Sequence, residues 1–177
     1  MTGRRGQWRT ATIAAAIVLA LTAAWVSLLW ARSTPHWQPT PPGAFANPLP
    51  EGGMPMRVAS LTVTPTLTTD RGEQPAIAGA LWVVAVVEYQ PPPEGGACLL
   101  NLLASDGRQW GAVSPIDVDG RRPLESGCTA TPGGAGTPRA EQLYLIPENA
   151  ADSLVGLVGI VSAYRGTAPH PVLTPPS

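Results

Sequence analysis

The hydropathy pattern falls into two regimes. Residues 10–31 (TATIAAAIVLALTAAWVSLLWA) form a run of 22 positions without a charge. As a helix, such a run extends ~33 Å at about 1.5 Å per residue, enough to cross a hydrocarbon core of about 30 Å. Beyond residue 55 the pattern is strand-like. Residues 57–68 alternate, with Ala59, Leu61, Val63 and Leu67 against Ser60, Thr62, Thr64, Thr66 and Thr68, and Pro65 suits an edge strand or a bulge. Residues 77–89 (IAGALWVVAVVEY) are apolar at both parities, as expected of a central strand buried on both faces, and are too short for a second span. Two apolar runs, 98–104 and 108–113, flank Ser105-Asp106-Gly107, which predicts a hairpin. Further strands are predicted at 141–146 and 154–164, with a long irregular Gly/Pro/Thr-rich connection between Pro115 and Pro138. Six or seven strands without an amphipathic helix predict a mainly β fold, an antiparallel β-sandwich over residues 56–166 preceded by one N-terminal transmembrane helix.

Charge orients that helix. All 11 basic residues are arginines. Residues 1–32 hold four of them and no acid, whereas residues 33–177 hold seven against twelve acids. The positive-inside bias then predicts a cytoplasmic tail at 1–9, a span at 10–31 and an extracytoplasmic remainder in the cell membrane. Trp8 on one side, and Trp30 and Trp37 on the other, suit the two membrane interfaces. A cleavable signal peptide is the alternative, but the apolar run is longer than such peptides carry and Trp30-Ala31-Arg32-Ser33 lacks a small-x-small site. Residues 32–55 contain prolines at 35, 39, 41, 42, 48, 50 and 55 and read as a semi-rigid linker, and residues 167–177 as a proline-rich disordered tail. The exported part is mildly acidic with no basic stripe, which argues against nucleic acid as a partner.

The hairpin and a later strand carry a resemblance. The stretch LLASDGRQWG at 102–111, a long loop, and then EQLYLIPENAADSLVGLVG from Glu141 resemble the bacterial telokin-like, immunoglobulin-like exported domains of unknown function. In that family a valine-rich strand precedes an L-x-D-x-D-G-x-x-Y hairpin, and an F-x-V-P strand leads into the last one. Here Leu102 to Trp110 stand for the hairpin, with Ser105 in place of an acid and Trp110 in place of the tyrosine, and Leu143 to Pro147 stand for the later strand. The resemblance covers residues 57–165. It implies an immunoglobulin-like sandwich and no shared catalytic residues.

Candidate chemistry is sparse. Cys98 and Cys128 are the two cysteines, and an even pair in an exported domain reads as one disulfide, with two free thiols as the alternative. Asp117-Val118-Asp119-Gly120 opens like a calcium loop, yet Arg121 and Cys128 stand at its fifth and twelfth positions, so a surface turn is the better reading. Gly133-Gly134-Ala135-Gly136 has no following Lys-Ser/Thr, and His36 and His170 lie outside the expected fold, too far apart in sequence for a metal pair or a Ser/His/Asp set. No catalytic, cofactor or metal residue is therefore assigned. Trp82 and Trp110 are candidate stacking platforms for a glycan or small molecule, against a packing role in the core. Arg121 and Arg122 form a small basic spot able to meet an acidic partner, against an ordinary solvated turn. Thr12, Ala16 and Ala20, with Ala23 and Ala24, give the helix a small-residue face that either packs on a partner or meets lipid. The expectation is a membrane-anchored, non-enzymatic extracytoplasmic module that binds an envelope protein, with cell-wall glycan or small-molecule binding as the alternative.

Overall fold

The computed structural model describes residues 3–33, 36–48, 54–90, 100–124, 128, 137–160 and 169–176. The chain divides into two compact units, Met1–His36 and Trp37–Ser177.

The first unit is helix α1 (Gly3–Ser33). Its side chains are described over residues 13–29, where every one is exposed and none is charged. Bulky residues occupy most of the circumference, with Ile13, Leu19, Trp25 and Val26 each more than half exposed. Thr22 donates its hydroxyl back to the Val18 carbonyl at 2.8 Å, so its polar atom is satisfied within the helix. Among the described residues, no helix is long and apolar enough to cross a membrane. The described side chains stop short of both ends of the uncharged run at residues 10–31.

The second unit is mainly β, built on antiparallel sheets. Strand β1 (Trp37–Pro39) precedes β2 (Met56–Thr64), β3 (Thr66–Thr69), β4 (Gly72–Pro75) and β5 (Ala80–Tyr89). Strands β6 (Leu100–Ala104), β7 (Gln109–Gly111), β8 (Arg139–Pro147), β9 (Leu154–Gly159) and β10 (His170–Val172) follow. One sheet has the order β2-β5-β8 and another β7-β6-β9, while β3 and β4 form a separate hairpin. Both three-stranded sheets supply one core: Met56, Val58, Val83, Ala85, Val87, Tyr144 and Ile146 come from the first, and Leu100, Leu102 and Leu157 from the second. A hydrogen bond joins them through this core, from the Tyr144 hydroxyl to the Leu100 carbonyl at 3.3 Å.

Strand β5 is central and buried on both faces, as its valine-rich run predicts. Its other face meets Leu67 of β3, Val118 and Leu143 in a second apolar cluster around Trp82. The expected strand at 57–68 is divided at Pro65 into β2 and β3. A register shift between Val58 and Ser60 further changes which parity points inward. Met56 and Val58 face the core before this bulge and Leu61 packs against it afterwards, which simple alternation across Ala59 does not capture. The Ser105-Asp106-Gly107 hairpin forms as expected between β6 and β7. Gly107 adopts φ 86°, and the Asp106 carboxylate accepts the Arg108 backbone N–H at 3.0 Å.

Both proline-rich flanks differ from their expected roles as linker and disordered tail. Trp37–Pro39 pairs in parallel with His170–Val172. Ala46 bridges Met56, and Leu173 bridges Leu157. Thr40 donates both its backbone N–H and its hydroxyl to the Val172 carbonyl, each at 2.9 Å. Val172 and Leu173 are fully buried, and Trp37 packs beside Val172 against Leu103, Val155 and Val158. A short strand at a sheet edge tolerates proline because only alternate N–H groups face a partner, so Pro39 and Pro171 do not prevent the pairing. The folded unit therefore extends on both sides of residues 56–166.

Candidate functional site

The apolar run of β5 contains one acid, Glu88, which is 5% exposed. The register sets Arg57 of β2 beside it on one side and Arg139 of β8 on the other. Arg57 donates from Nε at 2.7 Å and Nη2 at 2.5 Å to Oε2. Arg139 donates from Nε at 3.0 Å and Nη2 at 2.7 Å to Oε1. The Phe45 ring centroid lies 4.6 Å from the Arg57 guanidinium carbon, a cation–π contact. Hydrogen bonds from Arg139 and then Arg57 outweigh burial and hold the Glu88 carboxyl below the usual carboxylate range.

Glu141, two residues beyond Arg139 on β8, is 4% exposed. Arg122 binds it in bidentate fashion, Nε to Oε1 and Nη2 to Oε2, both at 2.7 Å. Arg122 Nη1 also donates to the Thr68 carbonyl, which ties the 117–123 segment to β3 as well as β8. Beside it, Asp70 and Arg121 clasp the β3–β4 turn: the Arg121 N–H donates to Asp70 Oδ1 at 2.6 Å, and the Asp70 N–H donates to the Arg121 carbonyl at 3.0 Å. Thr68, Thr69, Asp70, Arg121, Arg122 and Pro123 line an open depression of about 390 Å³.

Two buried carboxylates on one sheet face resemble an acid/base pair in placement only. A general acid or base has to hold or release a proton near the working pH. Arg139 and Arg57 hold the Glu88 carboxyl below the usual carboxylate range, and both carboxylate oxygens of Glu141 accept from the Arg122 guanidinium. Among the described residues, no group of three or more His, Cys, Asp or Glu side chains is placed to hold a metal ion.

The residues singled out in the sequence occupy several separate places. Trp82 is 4% exposed and its indole Nε1 is buried without a hydrogen-bond partner among the described residues, so its ring offers no stacking face. Trp110 is half-buried against the main core, with the Arg108 guanidinium 5.5 Å from its ring centroid. Arg121 is exposed, whereas the guanidinium of Arg122 is committed to Glu141 and Thr68 and does not form a free basic spot with it. Cys128 is buried in the main core and disulfide-bonded. Cys98 lies outside the described residues, as do residues 133–136. His170 is buried with its ring centroid 5.3 Å from that of Trp37, remote in sequence from His36.

The Arg57–Glu88–Arg139 row escaped the sequence reading. Its one visible signal was an acid at the end of an otherwise apolar central strand, repeated by Glu141 in β8. Such an acid has to find cations from neighbouring strands, and the register that supplies them is not written locally. No protein-family model, characterised protein or solved structure matches the chain.

Proposed function

We propose that this chain is a single-pass membrane protein of the bacterial cell envelope. Residues 10–31 form the span, residues 1–9 stay cytoplasmic, and the β unit is extracytoplasmic, acting as a binding or accessory module without catalysis. The observation that carries this reading is α1. A surface helix of a globular protein presents an apolar stripe and a polar face. Helix α1 instead exposes an uncharged surface at every described position from 13 to 29, and lipid is the solvent that suits it.

The immunoglobulin-like sandwich is proposed as the fold of the β unit. It is supported by two three-stranded antiparallel sheets sharing a core and by the β6–β7 hairpin on which the telokin-like resemblance rests. The expected partner is an envelope protein. Of the two candidate stacking platforms for the glycan-binding alternative, Trp82 is buried and Trp110 is half-buried.

The test is extraction and topology. The full chain is expected to remain in membrane pellets at alkaline pH. Protease added to intact spheroplasts should remove the β unit while leaving an N-terminal tag protected. Release of the full chain by alkali, or cleavage of the N-terminal tag in intact spheroplasts, overturns the reading.

A further inference from the structure

We propose that Arg57 and Arg139 form an oxyanion-binding cradle, held open by the buried Glu88 between them. This deepens the binding reading by naming a site, and it does not depend on whether α1 spans a membrane.

The argument begins with unequal charge and burial. Among the described residues, one carboxylate stands against two guanidinium groups, which leaves one positive charge in excess. The side chain of Glu88 is 7% exposed, while those of Arg57 and Arg139 are 40% and 56% exposed. The anion therefore lies at the floor and the cations form the rim. The neighbouring Arg122–Glu141 pair is internally neutral and does not consume this excess.

The hydrogen-bond inventory points the same way. A guanidinium has five N–H donors. Each rim arginine gives Glu88 only its Nε and Nη2. Both Nη1 groups have no protein acceptor among the described residues. Their orientation is already fixed, by Glu88 on one side and, for Arg57, by the Phe45 ring. A pre-oriented guanidinium loses less rotational freedom on binding than a free one, and its planar fork matches phosphate or carboxylate oxygens. A structural ion pair needs a single arginine here, as Glu141 shows with Arg122. The second arginine makes this a cationic surface.

The test uses the full chain in non-ionic detergent at fixed ionic strength, with inorganic phosphate as the probe and the arginine Nε–H resonances as the readout. Phosphate is expected to shift the Arg57 and Arg139 signals along a saturable curve and to leave Arg71 unmoved. R139Q should weaken the apparent affinity at least tenfold. Short-chain phosphatidylglycerol in a parallel titration separates sources: a tighter curve than for inorganic phosphate assigns the cradle to a lipid headgroup, and an equal one to soluble phosphoryl groups. Unmoved signals in the parent protein overturn the proposal without any variant having to fold. Equal shifts at Arg71, the mark of general screening, overturn it as well.

Discussion

Gly156 of β9 lies so close to Leu173 that a β-carbon added at Gly156 would overlap the Leu173 carbonyl oxygen and reach 3.2 Å from Val172 Cγ1. The neighbouring Leu157 exchanges both backbone hydrogen bonds with Leu173, at 3.1 and 2.8 Å. The missing side chain thus lets the C-terminal segment seal the edge of the second sheet. Gly156→Val is expected to cost about 1–3 kcal/mol through overpacking and strand displacement. Urea unfolding followed by tryptophan fluorescence checks the loss, and limited proteolysis should show earlier cleavage near residue 170. An unchanged midpoint would mean that the segment contributes nothing to the fold.

The Tyr144 hydroxyl forms a polar link across the main core, donating to the Leu100 carbonyl from a fully buried position. Burial pushes the phenol well above its ordinary titration range, so it remains a donor at any physiological pH. Tyr144→Phe keeps the ring and removes the bond, and should lower stability by about 0.5–1.5 kcal/mol with an unchanged denaturant slope. The shift in urea midpoint measures it.

The sequence made some of this architecture legible and hid the rest for identifiable reasons. Central strand β5 was readable because burial on both faces leaves a continuous apolar run, and the β6–β7 hairpin because Asp106-Gly107 specifies a turn. Strand β4 (Gly72–Pro75) has burial only at Gln74 and so presents no apolar pattern. Strands β1 and β10 were obscured by proline, and what orders them is pairing between segments more than 130 residues apart. The Glu88 cradle joins three strands, and its partners follow from register rather than from neighbours in sequence. Alternation in β2 failed at Ala59 because a bulge changes parity without a mark in the hydropathy pattern.

Cys128 provides a further test. A disulfide between the two cysteines of the chain would close a loop of 30 residues and contribute roughly 3–4 kcal/mol by chain-entropy estimates. Alkylation without reductant followed by mass measurement should leave both thiols unmodified, and reduction should add two labels and lower the unfolding midpoint. Cys128→Ser should reproduce the destabilisation. Two labels before reduction would show that the pairing does not form.

Acid should destabilise the β unit in two successive steps. Burial holds the His170 imidazole below its ordinary value of 6.5, because removal from water disfavours the charged ring. Above 6.5 the ring is neutral in both folded and unfolded chains and adds no pH dependence. As pH falls from 6.5 towards the lowered folded value, the unfolded chain takes up a proton that the native one does not, so stability declines through that window. Glu88 follows at lower pH. Its folded value is held below 4.5 by Arg139 and Arg57, so its stabilisation is complete above 4.5 and is lost as pH falls through the folded value. Urea unfolding of the full chain between pH 7.5 and 3.5 should show both declines. His170→Phe should flatten the upper step and leave the lower one, while Glu88→Gln should do the reverse. A single decline confined to the carboxylate range, unchanged by His170→Phe, would show that protonation of His170 does not load the β1–β10 pairing.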